Sequence, residues 1–174
     1  MDNGNRRPMA VLGTGKTVTA QVLRSLVEYP VVELTPCCAA MGLDGEQHYR
    51  AVVVENFDRR SRSQLSPCAA ARWELARRSD VTVVALDDGE GQRMAAELPV
   101  YAYSDGRPQA NLTAKNVCIR SGRLEFEALT DSDLLRVRVP LIHGPRLYEY
   151  LAALAGALAV GVPLERAALC LQRI

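Results

Sequence analysis

The stretch MAVLGTGKTVTAQVLRSLVEY, residues 9–29, decides how the chain is read. Met9 to Leu12 is a short apolar run that stops at Gly13. From Thr17 to Tyr29 the apolar residues Val18, Val22, Leu23, Leu26 and Val27 fall at helical spacing, and Pro30 is expected to end the helix. Between strand and helix lie Gly13, Thr14, Gly15, Lys16 and Thr17. Backbone N–H groups of such a loop point inward and cradle phosphate oxygens at a helix N-terminus. Lys16 would add a mobile positive charge near the outer phosphates, and the Thr17 hydroxyl would ligate a magnesium ion. The glycine that usually opens this motif, six residues before the lysine, is Ala10 here. The plainer alternative is a strand-to-helix turn with an incidental Lys-Thr pair.

Working outward, Val31 to Thr35 reads as a strand, Cys37 to Met41 as one helical turn, and residues 42–50 as a polar loop. Ala51 to Val54 is a continuous β-branched run, suited to a strand covered on both faces. Residues 58–66 read as a loop. Ser66-Pro67 has the form of a helix start, serine at the cap and proline at the first position, with the helix running to about Arg78. Val81 to Leu86 is another buried strand, Gly89 to Leu98 a helix, and Val100 to Tyr103 a short strand. The pattern then changes. Ala114 to Ile119, Arg123 to Leu129 and Leu134 to Val139 alternate in character. Glu125 and Glu127 on one strand and Arg136 and Arg138 on the next predict cross-strand pairing on a wet face. Ser121-Gly122 marks a turn. Leu147 to Val160 and Pro163 to Leu171 are apolar helices split by Gly161. The expected fold is α/β: a mainly parallel P-loop-type sheet flanked by helices, with a small antiparallel layer near residues 114–139. All of residues 1–174 are expected to form one domain.

Composition narrows the classes. A net charge of +1 gives no reason to expect nucleic acid or an anionic membrane as partner. No apolar run reaches the roughly 18 residues that a membrane span needs, and the polar N-terminus is not read as a signal peptide. The five cysteines, Cys37, Cys38, Cys68, Cys118 and Cys170, are odd in number and irregularly spaced, which favours reduced thiols in the cytoplasm. His48 and His143 are the only histidines, so a metal site rich in histidine is not expected.

Other candidates carry plainer alternatives. Cys37 and Cys38 read as a small apolar pair in a turn rather than a redox pair. His143, beside Gly144 and Pro145, reads as loop surface rather than a general base. Asp87 and Asp88 could be a catalytic pair, but adjacent side chains point apart, and a strand-end turn with helix capping is the competing reading. Arg59, Arg60 and Arg62 read as a solvated loop, and the apolar face from Leu147 to Leu158 as core.

The order of motifs resembles the central domain of the Mur ligase family, which includes the folylpolyglutamate synthases. Gly13 to Thr17 is similar to the family's loop, one residue shorter. Val32-Glu-Leu-Thr35 resembles its next strand, whose glutamate helps hold magnesium; the resemblance makes Glu33 the counterpart. Val52-Val-Val-Glu-Asn-Phe-Asp58 looks like the following strand, with Asn56 and Asp58. Val83-Val-Ala-Leu-Asp-Asp-Gly89 matches at Asp87 and Asp88, and Leu151-Ala-Ala153 and Val160-Gly-Val-Pro163 match the late helix and turn. The resemblance implies ATP and Mg2+ as cofactors, Gly13, Thr14, Gly15, Lys16 and Thr17 as the nucleotide site, and Thr17 and Glu33 as magnesium ligands. It also implies a relation to ATP-dependent acid–amino acid ligases of cell-wall peptide synthesis.

There are departures. Arg59 and Arg60 stand where the family has a magnesium-binding histidine. Arg146 and Glu149 stand in place of two asparagines near adenine and ribose. No lysine occurs between Ala69 and Arg72, where the family carries a modified one. The stretch between the loop helix and Glu33 is short, and the family's two flanking domains are not among these residues. The resemblance therefore implies a chain that does not ligate alone and acts with a partner subunit or domain supplying the missing parts. A non-catalytic scaffold descended from that domain, and a generic P-loop NTPase, are the alternatives.

Overall fold

A computed structural model describes residues 7–13, 15–35, 47–55, 67–141 and 147–174. The order of elements is β1 (Met9–Leu12), α1 (Lys16–Leu26), β2 (Val31–Glu33), β3 (Ala51–Val54), α2 (Pro67–Arg77), β4 (Thr82–Ala85), α3 (Gly89–Glu97), β5 (Val100–Ser104), β6 (Leu112–Arg120), β7 (Arg123–Leu129), β8 (Leu134–Pro140), α4 (Leu147–Ala159) and α5 (Leu164–Leu171). One eight-stranded sheet has the order β2-β1-β3-β4-β5-β6-β7-β8. Pairing is parallel from β2 through β6 and antiparallel for β6–β7 and β7–β8. The expected α/β architecture is present. Its antiparallel strands extend the parallel sheet rather than forming a separate layer.

The continuous apolar strands are explained by cover on both faces. Side chains alternate across a strand. Met9, Val11, Val53, Val83 and Ala85 meet Leu23, Leu151 and Leu154 in one core, while Ala10, Leu12, Val52, Val54 and Val84 meet Leu75 and Met94 in the other. Helices α1, α4 and α5 cover the first face; α2 and α3 cover the second. β7 and β8 read differently because one face is polar, although Glu125 on it is buried under Arg136 and Arg138 rather than wet. Leu124, Phe126, Ala128, Val137 and Val139 are buried on the core side. On the other side Glu125 pairs with Arg138 at 3.3 Å and with Arg136 at 3.1 Å. Glu127 instead accepts from Asn116 Nδ2 at 2.6 Å. Ser121 and Gly122 both have positive φ (49° and 71°), the backbone of a tight hairpin whose twist suits the flanking strands.

Two sequence expectations change. Helix α1 ends at Leu26, four residues before Pro30, because Val27 turns extended (φ −123°, ψ 154°) while its N–H still reaches Leu23. Pro30 instead leads into β2, its carbonyl accepting from Met9 N at 2.8 Å. Val18 is 37% exposed; Thr19 and Ala20 take the buried positions beside Val22, Leu23 and Leu26. The readings placed on residues 37–41, on Ser66, and on Asn56, Asp58, Arg59, Arg60, Arg62, His143 and Arg146 lie outside the described residues. Cys118 and Cys170 are free thiols. Among the described residues no helix is long and apolar enough to cross a membrane.

Candidate functional site

Parallel strands feeding helices collect their C-terminal ends along one edge, where open α/β sheets place ligands. Gly13 follows β1 there, Glu33 ends β2, Glu55 follows β3, and Asp87 and Asp88 follow β4. The pairing of Leu12 with Val54 sets Gly13 beside Glu55, and Glu55 N donates to Leu12 O at 2.8 Å. Gly13 has φ +124°, and a methyl group on it would lie 2.1 Å from the Glu55 carbonyl oxygen. Only glycine fits that approach. Gly15 caps α1 with φ −94° and ψ 12° and has no side-chain cap. The first-turn N–H groups of α1 therefore face the loop, as an anion site at a helix start requires. Thr14 lies outside the described residues.

Of the residues expected to hold magnesium, Thr17 and Glu33 are brought together: Thr17 Oγ1 donates to Glu33 Oε2 at 2.9 Å. Two oxygen donors at one point suit a hard cation. The other carboxylate oxygen, Oε1, accepts from both terminal guanidinium nitrogens of Arg24 at 3.2 Å, so a cation there would share Glu33 with a fixed positive charge. Among the described residues no group of three or more His, Cys, Asp and Glu side chains is placed to hold a metal. Lys16 Nζ donates to Thr35 Oγ1 at 3.0 Å, toward β2.

The mouth of the loop is acidic. A methyl group on Gly15 would lie 2.5 and 2.7 Å from the two carboxylate oxygens of Glu55 and 2.6 Å from Glu149 Oε1. Glu55 is 3% exposed; Glu149 reaches in from the first turn of α4. Beside it Tyr103 is buried, and burial first, then the carboxylates of Glu55, Asp87 and Asp88 and the Tyr148 hydroxyl, push its phenol well above the ordinary value. Burial likewise raises Tyr148, and the neighbouring carboxylates of Asp105 and Asp87 add to the rise. Asp87 ties down the chain after β5, accepting from Ser104 Oγ at 2.7 Å and Asp105 N at 3.2 Å. Asp88 caps α3, accepting from Glu90 N at 2.8 Å. Both aspartates thus have structural work, as the capping alternative anticipates.

Sequence reading passed over Glu55, Arg24 and Thr35. For Glu55 a signal exists, an acidic residue directly after a wholly apolar strand. Its meaning depends on β3 lying next to β1, which spacing along the chain does not reveal.

Comparison with solved structures places this arrangement. A UDP-N-acetylmuramoylalanyl-D-glutamyl-2,6-diaminopimelate–D-alanyl-D-alanyl ligase from Acinetobacter baumannii matches with a TM-score of 0.76 and 17% identity, over 99% of this chain and 47% of that one. The fold is Mur-ligase-like. A pseudomurein peptide ligase type C from Methanothermus fervidus matches at TM-score 0.72 and 12% identity, over 97% of this chain and 49% of that one. The MurF ligase from Thermotoga maritima in complex with ADP matches at TM-score 0.67 and 12% identity, over 96% and 49%. The chain thus spans about half the length of the ligases it matches. No family model matches the sequence, and no curated protein matches it by sequence.

Proposed function

We propose that this chain is a nucleotide-binding, Mur-ligase-like domain, related to the ATP-dependent acid–amino acid ligases of cell-wall peptide synthesis, that does not ligate by itself. The observation that carries the reading is the strand–glycine loop–helix unit with Thr17 Oγ1 held 2.9 Å from Glu33 Oε2, on a sheet shared with known peptide ligases. The loop backbone from Gly13 to Thr17 and Lys16 would hold the phosphates of ATP, and Thr17 and Glu33 one Mg2+. Bound ATP would supply the phosphoryl group that activates a carboxylate. Phosphoryl transfer depends on positioned positive charge. Here Arg24 already engages Glu33, Thr35 engages Lys16, and Glu55 and Glu149 face Gly15. That balance disfavours turnover. A partner subunit or domain would bring the acceptor and the amine. With ATP as ligand, the cytoplasm is the proposed location, with no nucleic acid or membrane partner.

A second reading, a scaffold that has lost its nucleotide, is favoured by one observation, the two carboxylates at the loop's mouth. A generic P-loop NTPase has less support, because the matched structures of like sheet are peptide ligases. The test of inactivity incubates the purified chain with ATP, magnesium, peptidyl or pteroyl carboxylates and amino acids, and reads ADP and conjugates by mass spectrometry. No conjugate is expected from the chain alone. Robust conjugate from it would overturn the claim; conjugate only after a partner protein is added would support a split ligase.

A further inference from the structure

A phosphate loop works as an anion site because inward N–H groups and the helix N-terminus favour negative charge at one small volume. In this chain a carboxyl side chain of the protein itself lies against Gly15, at the start of α1. Glu55 is held from two directions: its N–H is bonded to Leu12 O at 2.8 Å, and its carbonyl presses on Gly13. With its backbone fixed, its side chain runs along the loop to Gly15, where both carboxylate oxygens lie within 2.7 Å of the position a methyl group would take. The residue is 3% exposed, so this is a packed conformation and not one of many solvated rotamers. Glu149 brings a second carboxylate to the same point.

Resting on the nucleotide reading above, we propose that Glu55 is a built-in occupant of the phosphate loop, a carboxylate standing where a phosphate group would, which nucleotide must displace to bind. The consequence is an ATP affinity set by competition within the chain. A phosphate entering beside a buried carboxylate meets like charge at short range, and the loop cannot serve both anions. Withdrawing or neutralising Glu55 frees the loop without changing its backbone, because the contacts at Gly13 are made by the main chain of residue 55 and remain in any variant. Lys16 is then available to leave Thr35 for the incoming phosphate, its 3.0 Å bond being an exposed one of small net worth.

The test measures binding of ATP with magnesium, and separately of tripolyphosphate, to the wild-type chain, Glu55→Thr, Glu55→Gln and the double variant Glu55→Thr with Lys16→Ala, all first checked for wild-type circular dichroism. Glu55→Gln keeps the volume and covers the case in which the smaller side chain fails to fold. Glu55→Thr is expected to bind both probes roughly tenfold or more tightly than wild type, the size of effect that one like charge at a partly shielded site produces. Glu55→Gln should gain less, and the double variant should lose the gain. Equal affinities in wild type and both single variants would overturn the role of Glu55 while leaving the nucleotide reading standing. No binding of either probe to any folded variant would overturn both.

Discussion

Replacing Gly13 by alanine tests the loop's backbone without any ligand. At φ +124° an L-residue pays roughly 1–2 kcal/mol that glycine does not. The added methyl would also stand 2.1 Å from the Glu55 carbonyl oxygen, and main chain cannot swing aside as a side-chain tip can. Overpacking of that kind costs roughly 1–3 kcal/mol. Together these give a loss of about 3 kcal/mol or more. Gly15→Ala is the internal control. Its φ of −94° is open to alanine, and its methyl would meet only the ends of the Glu55 and Glu149 side chains. Moving them should cost about 1 kcal/mol. In urea, with a slope of roughly 2 kcal/mol per molar, Gly13→Ala should lower the unfolding midpoint by about 1.5 M and Gly15→Ala by about 0.5 M. Equal midpoints for the two variants, or a Gly13→Ala chain as stable as wild type, would refute this placing of the β1 and β3 ends.

Three further outcomes follow from the structure. Glu125 is buried between half-exposed Arg136 and Arg138, so replacing both arginines by methionine strands a buried carboxylate and should cost about 3 kcal/mol, whereas Glu125→Leu leaves two guanidinium groups that water can reach and should cost about 1 kcal/mol; thermal unfolding of the two variants reads the asymmetry. Asp80 feels partial burial, which raises its pKa, but its bonds to His48, Arg50 and Arg7 outweigh that and hold it below the ordinary 3.8. Its contribution is therefore present above that value and lost as pH falls through the lower folded value, so Asp80→Asn should cost about 1 kcal/mol at neutral pH, discounted for its exposure, with the gap closing in acid denaturation. Asp88→Ala removes the cap of α3 and should cost about 1 kcal/mol by urea titration.

Much of the fold was legible because each strand sits where its pattern requires. Ala51 to Val54 reads as covered on both faces and is wholly buried; Leu124, Phe126 and Ala128 read as one face and are one. The end of α1 was not legible, since Pro30 is a strong stop signal, yet Val27 leaves the helix first to start the turn toward β2. Thr17 was singled out by the glycine loop and Glu33 by the resemblance, and their 2.9 Å contact follows once β2 lies beside β1. Glu55 illustrates the limit. Its place in the loop arises from β3 pairing with β1 across a gap of about forty residues, a non-local contact without a periodic signature in the chain.

The most direct measurement is calorimetric titration of the wild-type chain with ATP, with and without magnesium, alongside Lys16→Ala. The account predicts saturable one-to-one binding that magnesium strengthens, because the ion links the phosphates to Thr17 and Glu33, and severe weakening when the Lys16 charge is removed. Saturable binding that is indifferent to both magnesium and Lys16, or no binding to the folded chain or to its Glu55→Thr variant at any attainable ATP concentration, would contradict it.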